Sequence, residues 1–529
     1  MRRWNGWGDD SIIYPLPESA ARFLTALVGP GTPTPEPDFK EVLEHVPPTR
    51  LPAHPLLDTT PLVRIQHARG QSLPDWLALR SGLVDTFPDG VAYPGSSEDV
   101  RQLLQYASQV GAAVIPYGGG TSVVGHITPL AGTPTLTVDM SRMNRLLHLD
   151  RASLLATFGA GVSGPDLEAQ LRAHGLTLGH YPQSFEYATL GGWIATRSSG
   201  QQSLRYGRIE KLFAGGQMET PLGTLTMPPF PASAAGPDLR EMVLGSEGRL
   251  GIITEASVRV SPLPQREDFH AIFFPDFDHG MAAARQVLAA NLPLSMLRLS
   301  TANETTTTLA LAGHENLIGA LEKLLNMRGL GSEKSMLMIG FTGQNTIVRA
   351  ARDEAIDICN SHGGIHVGRT FGKQWQKNRF RTPYLRNTLW EQGYAIDTLE
   401  TATTWSAVPS TIQAIETGLS SALESSGEKV HIFTHLSHLY PQGSSIYTTY
   451  LFRLAAEPQE TLRRWQAMKH AASQAIVAQG GTISHQHGVG LDHRAYLPAE
   501  KGELGMAALH SLCKQFDPHE LMNPGKLIG

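Results

Sequence analysis

Cysteine is the scarcest residue in this sequence, with only Cys359 and Cys513 among 529 residues. Two cysteines cannot crosslink a chain of this length, so a small disulfide-stabilised secreted fold is excluded. A reducing compartment is the simpler setting, and we expect a cytoplasmic protein. Long apolar runs are also lacking, because none approaches the roughly 20 residues needed to span a bilayer.

Excess positive charge and sorting signals are missing as well. The net charge of −5 offers no attraction to a polyanion, so we expect no nucleic-acid partner. The basic start Arg2-Arg3 is not followed by the apolar core of about 7–15 residues typical of a secretory signal. The ending Lys526-Leu527-Ile528-Gly529 is not a peroxisomal address. The composition is that of a soluble globular protein, and the length predicts two or three domains.

An unusual glycine run follows a short apolar segment at residues 112–115. It reads Pro116-Tyr117-Gly118-Gly119-Gly120-Thr121-Ser122. Glycines let a backbone approach a ligand closely and adopt positive φ, and successive N–H groups in such a turn favour anions, phosphate above all. The run lacks both the ending of a nucleotide triphosphate loop and the spaced glycines of a Rossmann turn. Taken alone, it is explained equally well as a surface turn.

Two more segments downstream combine small residues and hydroxyls in the same way. The first is Gln183-Ser184-Phe185-Glu186-Tyr187-Ala188-Thr189, continued by Thr196-Arg197-Ser198-Ser199. The second is Glu247-Gly248-Arg249-Leu250-Gly251-Ile252-Ile253. Three such segments within about a third of the chain indicate one long ligand that lies over several backbone loops.

Together these segments resemble the FAD-binding half of the p-cresol methylhydroxylase/vanillyl-alcohol oxidase flavoenzymes. Within that group the sequence is most similar to the alkyldihydroxyacetonephosphate synthases. The similarity is carried by residues 3–8, 140–144, 179–182 through 206–210, and 484–490, the last with one departure. It covers nearly the whole chain and is weakest between about residues 265 and 425.

The resemblance implies an α+β fold of two domains, with FAD between an N-terminal binding domain of the vanillyl-alcohol oxidase type and a C-terminal cap. We expect a lead-in segment over residues 1–85, an FAD-binding domain over 86–265 and a substrate or cap domain over 266–480. Residues 481–529 should return to the flavin site. The lead-in is rich in proline, and we expect one helix in it, near residues 19–28.

Local signals place several further elements. Ser96 with Asp99 predicts a helix start with Gly111 as its end, and Ser163 with Asp166 predicts another. Predicted strands cover residues 135–139, 146–149, 154–158 and 252–260, and the last helix of the cap is predicted at 458–479.

FAD is the cofactor that the resemblance implies, held by the residues of the three segments written out above. Related enzymes commonly attach the flavin through a histidine in the first glycine loop. This loop has none, so we expect non-covalent FAD, although His126 just beyond it keeps covalent attachment open.

Tyr447, His485 and His487 are the catalytic candidates. Tyr447 matches the active-site tyrosine of the synthases and could act as a general acid or base; the alternative is a packed strand tyrosine. His485 and His487 would face the same side of a strand and could carry protons near neutral pH; the alternative is a pair that fixes a turn. The synthases have three consecutive histidines here, and Gln486 replaces the middle one.

Arg386 and Arg298 are the substrate-binding candidates. Arg386 matches the substrate arginine of the synthases, and a guanidinium suits a phosphate or carboxylate by bidentate pairing. The alternative is a surface salt bridge. Arg298 matches a functionally sensitive arginine of the family, without an assigned role.

A third histidine cluster comprises His431, His435 and His438. Related metal-dependent 2-hydroxyacid dehydrogenases bind a divalent metal with two histidines and an acid. Here Gln486 stands where their glutamate would be, and a neutral amide is a poor ligand replacement. We therefore expect no metal and a supporting or structural cluster, with a metal site as the lesser alternative.

The main functional expectation is an FAD-dependent enzyme of the synthase type, which exchanges a fatty acid for a fatty alcohol on dihydroxyacetone phosphate without net redox change. The alternative is an FAD-linked oxidase or dehydrogenase for a D-2-hydroxy acid such as lactate or glycolate, and a remote one is a non-catalytic flavin-binding protein. We expect a small anionic substrate, a homodimer, and peripheral membrane contact if the substrate is a lipid.

Overall fold

Four β-sheets organise the chain in the computed structural model, which describes residues 2–313 and 315–528. The strands are β1 (Leu57–Asp58), β2 (Gly90–Ala92), β3 (Ala113–Tyr117), β4 (Thr135–Asp139), β5 (Leu146–Asp150), β6 (Leu155–Gly159), β7 (Leu176–Thr177), β8 (Phe213–Thr220), β9 (Gly223–Met227), β10 (Ile252–Arg259), β11 (Ser261–Pro262), β12 (Arg266–Phe274), β13 (Leu294–Ser300), β14 (Ser335–Gly343), β15 (Ile365–His366), β16 (Tyr394–Thr404), β17 (Val430–Tyr440) and β18 (Gly443–Arg453).

Helices connect and cover these sheets. They are α1 (Glu18–Val28), α2 (Phe39–Glu44), α3 (Pro61–Gln66), α4 (Leu73–Ser81), α5 (Ser97–Val110), α6 (Gly164–Arg172), α7 (Leu190–Ala195), α8 (Ser203–Tyr206), α9 (Ile209–Leu212), α10 (Arg240–Val243), α11 (Phe277–Ala289), α12 (Ala302–Leu311), α13 (Glu315–Met327), α14 (Asn345–Ser361), α15 (Thr370–Asn378), α16 (Thr382–Glu391), α17 (Val408–Ser421), α18 (Pro458–Ala478) and α19 (Leu497–Phe516). None of the helices in the described part of the chain has the length and apolar character to cross a membrane.

The first half of the chain contains two sheets that present the predicted ligand loops. In the order β1-β2-β4-β3, the strands β2, β4 and β3 run parallel, and β3 leads directly into the glycine run. A five-stranded antiparallel sheet has the order β5-β6-β10-β8-β9, with β10 beginning at the end of the third predicted segment.

Local sequence signals predicted these elements well. Ser96 caps α5 in a capping box with Asp99, and Gly111 ends the helix in the left-handed region. Ser163 caps α6 by accepting from the backbone N–H of Asp166. The four predicted strands correspond to β4, β5, β6 and β10, and the long cap helix corresponds to α18.

The lead-in is more helical than its proline content predicts. One helix is expected there and is present as α1, but α2, α3 and α4 also form within the same region. In α4 the buried residues include Leu73, Trp76, Leu77 and Leu79, so apolar side chains surround much of the helix. Such a helix has no polar face, and its sequence lacks the amphipathic period that identifies a surface helix.

The second half is built on a seven-stranded antiparallel sheet in the order β15-β12-β14-β13-β17-β18-β16. One face packs on α11, α14, α17 and α18, where residues such as Leu297, Ile339 and Ile415 join the main core. Because side chains alternate along a strand, the residues between them project to the opposite face. That face looks toward the loops of the first half.

The C-terminal residues lie against β3, beside the glycine run. The backbone N–H of Val114 donates to Leu521 O, and Asn523 N–H donates to Val114 O, so the tail adds an edge to the parallel sheet. Lys526 is fully buried, and its Nζ donates to Thr128 O at 2.6 Å.

Candidate active site

A cavity of about 900 Å³ lies between the three predicted cofactor segments, which we call the ligand loops, and the face of the seven-stranded sheet that is opposite α11, α14, α17 and α18. This volume is typical of a cofactor or ligand site. The predicted cofactor residues that line it are Pro116, Tyr117, Gly118, Gly119, Gly120, Thr121, Ser122, Gln183, Ser184, Ala188, Thr189, Thr196, Ser198, Ser199, Glu247, Gly248, Gly251, Ile252 and Ile253. All three predicted segments therefore meet at one cavity.

Six predicted cofactor residues lie outside the lining, namely Phe185, Glu186, Tyr187, Arg197, Arg249 and Leu250. Their side chains have other contacts. Phe185 stacks on Phe380 with ring centroids 4.8 Å apart, while Glu186 and Tyr187 contact the Tyr384 hydroxyl.

The other three are used in packing around the loops. Arg197 pairs with Glu241 at 3.0 Å, Arg249 donates to Met522 O at 2.5 Å, and Leu250 is buried in the core. The segments curl tightly, as the bond from Tyr187 N–H to Ser184 O shows. The whole glycine run faces the cavity, but only part of the second and third segments does.

The glycine run packs directly against the second segment. A Cβ on Gly119 would lie 1.8 Å from Tyr187 O, and one on Gly118 would lie 2.2 Å from Thr189 Oγ1. Of the three glycines only Gly120 has positive φ, at 63°. The expectation of left-handed backbone thus holds at Gly120, whereas Gly118 and Gly119 are required because another loop lies too close for any side chain.

Unpartnered donors at this end of the cavity fit the phosphates and polar groups of a dinucleotide. The backbone N–H groups of residues 119–122 donate to no backbone oxygen of the described residues. Trp193 and Ser199 also line the cavity, and Trp193 Nε1 and Ser199 Oγ are buried without a hydrogen-bond partner among the described residues. Buried donors are normally paired, so these groups indicate a bound ligand.

Tyr447 lies at the other end of the cavity, in a row of polar residues across the sheet. It sits on β18 opposite Glu400 of β16 on one side and His435 of β17 on the other. Its ring stacks on His435 with centroids 5.1 Å apart and meets His487 edge-on at 5.6 Å. Burial raises the pKa of the Tyr447 phenol to about 12, so the hydroxyl keeps its proton at neutral pH.

His485 and His487 do not lie in a strand, so they lack the shared face that a strand would give them. Residues 484–488 form a loop, and His487 lines the cavity while His485 does not. The loop curls because the backbone N–H groups of residues 485, 486 and 487 all donate to Glu400 Oε1, at 3.0, 2.9 and 2.9 Å. A strand would point successive N–H groups in opposite directions and could not make these bonds.

Arg386 extends from α16 into the cavity and has unused hydrogen-bonding capacity. Its Nη1 donates to Gln71 O at 2.5 Å, and its guanidinium lies 4.2 Å from the Trp76 ring centroid. Nε and Nη2 are buried and have no partner among the described residues. Burial lowers the pKa of Arg386 to about 10, which leaves it charged at neutral pH. The side chain is thus not committed to a surface salt bridge.

Arg298 lines the same cavity but is paired within the protein. Its Nη2 lies 2.5 Å from Glu304 Oε1, and Glu304 Oε2 lies 2.9 Å from His435 Nδ1. Burial works to raise the pKa of Glu304, but His435 and Arg298 outweigh it and lower the value to about 2. Glu304 therefore stays ionised and links Arg298 to the His435 ring, which stacks on Tyr447.

His431, His435 and His438 do not converge. His431 Nε2 contacts Thr307 Oγ1 at 2.9 Å, His435 contacts Glu304, and His438 Nε2 contacts Gly200 O at 3.2 Å. No three histidine, cysteine or acidic side chains of the described residues lie together in a way that could hold a metal ion.

Sequence reasoning missed Glu400 and an apolar wall. The wall comprises Met296, Leu311, Met336, Met338, Phe371, Trp375, Leu385, Leu389 and Phe433. Its residues come from several helices and strands, so no local pattern marks them. A signal for Glu400 was available, because Asp397 and Glu400 are acids within an otherwise apolar and hydroxyl-bearing strand. Acidic residues in such a strand are rare unless they are paired.

Two family models match the chain in sequence. Residues 88–227 match the model described as FAD binding domain, and residues 263–527 match the model described as FAD linked oxidases, C-terminal domain. These matches bear out the predicted cofactor and the two-part architecture.

Similar proteins of known description cover most of the chain. It is 31% identical to alkyldihydroxyacetonephosphate synthase of Dictyostelium discoideum, over 99% of this chain and 93% of the relative. It is 28% identical to the enzyme of the same name in Trypanosoma brucei brucei, over 99% and 92%. A mitochondrial D-lactate dehydrogenase [cytochrome] of Arabidopsis thaliana is 26% identical over 83% and 73%.

Comparison with solved structures gives the same result. An alkyldihydroxyacetonephosphate synthase structure superposes with a TM-score of 0.83 at 30% identity, covering 99% of this chain and 98% of that one. The α+β fold predicted from the sequence is thereby confirmed.

Proposed function

The chain belongs to the alkyldihydroxyacetonephosphate synthase family of FAD-linked oxidases, and from this premise we propose that it exchanges the fatty acid of an acyl-dihydroxyacetone phosphate for a fatty alcohol. The observation that carries the proposal is the joining of two features in one cavity. Arg386 has two guanidinium nitrogens without a partner among the described residues, and the apolar wall lines the same cavity. A phosphate and an aliphatic chain on one substrate need both.

The loops of the first half hold FAD. Residues 119–122, whose backbone N–H groups donate to no backbone oxygen of the described residues, would hold its phosphates, and Trp193 and Ser199 would offer further donors. When bound, FAD supplies the reactive ring system on which the family's chemistry depends. Non-covalent binding is supported by His126, whose Nδ1 is 2.8 Å from Ser122 Oγ and whose Nε2 is 3.0 Å from Glu247.

Arg386 binds the phosphate. The stacked Trp76 ring fixes the plane of the guanidinium, and the Gln71 carbonyl holds one of its nitrogens. The two remaining nitrogens can then donate to phosphate oxygens with little loss of side-chain entropy.

Tyr447 and His487 handle protons at the reacting end of the substrate. The Tyr447 hydroxyl is protonated at neutral pH and can donate to an oxygen in the cavity. Burial lowers the pKa of His487, so its ring is neutral at that pH and can accept a proton. The apolar wall holds the aliphatic chain and keeps water away from these groups.

The proposed reaction is that of a transferase that forms an ether-lipid precursor. Its test is incubation of the purified protein with an acyl-dihydroxyacetone phosphate and an isotopically labelled fatty alcohol. Label in the alkyl product and release of one fatty acid per product support the proposal.

The competing reaction is distinguished by the flavin spectrum. Rapid anaerobic bleaching by D-lactate or glycolate, with formation of the 2-keto acid and no alkyl product, would favour the D-2-hydroxy acid oxidoreductase instead. Recovery of flavin in the supernatant after acid precipitation tests non-covalent binding. The homodimer, the cytoplasmic location and the peripheral membrane contact stay predictions.

A further inference from the structure

Glu400 is a buried carboxylate whose two oxygens have different surroundings. Oε1 accepts four hydrogen bonds, from Ser484 Oγ at 2.9 Å and from the backbone N–H groups of residues 485–487. Oε2 is buried and has no hydrogen-bond partner among the described residues. The side chain is 1% exposed, so the protein supplies all of these donors in place of water.

The bonds to Oε1 fix the shape of the loop that carries both histidines. Consecutive N–H groups that converge on one anion form a nest, and this geometry forces the chain to curl around the carboxylate. Ser484 Oγ also accepts from Gly488 N–H at 2.9 Å, which closes the loop. The Nδ1 atoms of His485 and His487 consequently face Glu400, at 3.5 Å from Oε2 and 3.7 Å from Oε1.

Two contacts of Nε2, the second ring nitrogen, hold His485 in a single tautomer. Its Nε2 lies 2.6 Å from Arg208 Nη1 and 2.6 Å from the Tyr440 hydroxyl. A guanidinium can only donate, so Nε2 accepts and the proton of the neutral ring is on Nδ1, facing Glu400. His485 is therefore a fixed part of the scaffold and is not available to exchange protons with the cavity.

His487 is placed differently. It lines the cavity, and its ring contacts Tyr447 edge-on at a centroid distance of 5.6 Å. The Nδ1 side of the His487 ring faces Glu400, and the ring also contacts Tyr447 in the cavity.

From this geometry we propose that Glu400 is a positioning residue that holds His487 against Tyr447 and balances the charge His487 gains when it accepts a proton. The proposal rests on the function proposed above for Tyr447 and His487. The proton that His487 accepts stays on its imidazole until it returns to the cavity. Glu400 stays ionised throughout and acts through its charge, 3.7 Å from His487 Nδ1, and through its bond to the His487 backbone N–H.

The surroundings favour an ionised Glu400. Burial works to raise its pKa, but His487, His485 and the loop N–H groups outweigh it and hold the pKa well below the usual range. Burial lowers the pKa of His487, and the Glu400 charge opposes that shift. The other charged or titratable groups near the pair in the described part of the chain are Lys469, Asp397, Arg208, Glu210, His438, His493, Tyr440 and Tyr447.

Glu400→Gln tests the charge while retaining an oxygen that can accept the loop N–H groups. We expect kcat to fall by up to about 10²–10⁴-fold, the contribution typical of the acid–base group that Glu400 positions, with KM within a few-fold. Without the carboxylate the pKa of His487 should fall, so the acidic limb of the kcat profile should move to lower pH. Glu416→Gln is the control, because Glu416 is a partly buried glutamate of the cap whose side chain, among the described residues, accepts one hydrogen bond, from Thr434 Oγ1 at 2.8 Å.

A double-mutant cycle separates positioning from a general loss of structure. If Glu400 acts through His487, then Glu400→Gln should cause little further loss in a His487→Gln background. The proposal would be overturned if the losses in kcat of the two single variants multiply in the double variant. It would also be overturned if kcat of Glu400→Gln lies within threefold of wild type and its pH profile does not move. If Glu400→Gln does not fold, Glu400→Asp retains the charge and carries the same cycle.

A measurement without turnover keeps this inference distinct from the proposed function. In protein labelled with ¹³Cε1-histidine, the His487 resonance, assigned by its loss in His487→Gln, should titrate at lower pH in Glu400→Gln than in wild type. Unchanged titration would contradict the role of Glu400 whichever substrate the enzyme uses. Failure of acyl-for-alkyl exchange in wild type, together with the shifted titration, would contradict only the proposed function.

Discussion

Tyr447 lies directly opposite Glu400 in the register between β18 and β16, and the same residue is paired with His435 on β17. The antiparallel register thus sets the phenol between two polar residues whose positions the backbone fixes. The edge-on contact with His487 completes its surroundings. The chemistry of this site therefore depends on strand pairing as much as on the individual side chains.

Tyr447→Phe should fold and retain FAD but lose most of its turnover. The change removes one hydroxyl and little volume, and general acid–base groups typically contribute about 10²–10⁴-fold. Steady-state kinetics and the flavin-to-protein absorbance ratio check both parts. Tyr394→Phe is the matched control, since this strand tyrosine uses its hydroxyl to bind Gly29 O and Gly31 N–H away from the cavity. A Tyr447→Phe enzyme within a few-fold of wild type would assign Tyr447 to packing.

Arg386→Lys and Arg386→Ala should weaken the use of phosphorylated substrate. Lysine keeps the charge but loses the two parallel N–H donors, so we expect a raised KM, and alanine should be worse. A charged hydrogen bond contributes about 1.5–3 kcal/mol, which corresponds to about 10- to 100-fold in kcat/KM. The comparison substrate is acyl-dihydroxyacetone without the phosphate.

The control for this pair is Arg463→Ala, whose side chain is 73% exposed and should leave the kinetics unchanged. Equal losses on the phosphorylated and the neutral substrate would show that Arg386 supports the structure or the flavin rather than the phosphate.

Gly119→Val should abolish FAD binding, and Gly119→Ala should also weaken it. Even a Cβ at this position would lie 1.8 Å from Tyr187 O, so the first and second ligand loops must separate to accept it. Flavin content after purification and reconstitution measures the effect, with far-UV circular dichroism as the check on folding. Gly331→Val is the control, because a Cβ there has no heavy atom within 4 Å. Full occupancy in Gly119→Val would show that this loop does not cradle the cofactor.

Glu304→Gln should destabilise the protein at neutral pH and much less in acid. The folded pKa of Glu304 is about 2, below its ordinary value of 4.5. Its ionised form therefore stabilises the fold above about pH 4.5, and this contribution is lost as the pH falls toward 2. The shift corresponds to on the order of 3 kcal/mol.

Thermal unfolding between pH 7 and pH 3 measures this difference. The difference in Tm between wild type and Glu304→Gln should narrow as the pH falls. Glu241→Gln is the control, because Glu241 is an exposed carboxylate that pairs with Arg197. A gap that is constant with pH would mean that the charge of Glu304 does not account for the stability it confers.

The sequence by itself determined the elements governed by local rules. The capping box of α5 and the cap of α6 each involve residues three positions apart, and the matching strands follow from short apolar runs. The three ligand segments were also visible, because glycines and hydroxyls at a turn restrict the backbone whatever surrounds it. The family, the α+β fold and FAD followed from those segments together with the resemblance.

Only the tertiary structure decided how the site is assembled. Glu400 and the N–H of His485 are separated by 85 residues, and Arg386 and Gln71 by 315, so no local pattern could show either contact. The same holds for Gly119, which is fixed by the neighbouring loop rather than by its own φ. In a strand, histidines two positions apart would share a face, but that alternation is a local rule and residues 484–488 form a loop. A buried carboxylate that collects three successive N–H groups outweighs that rule, since leaving those donors and that charge unpaired in the interior would cost more than the strand could return.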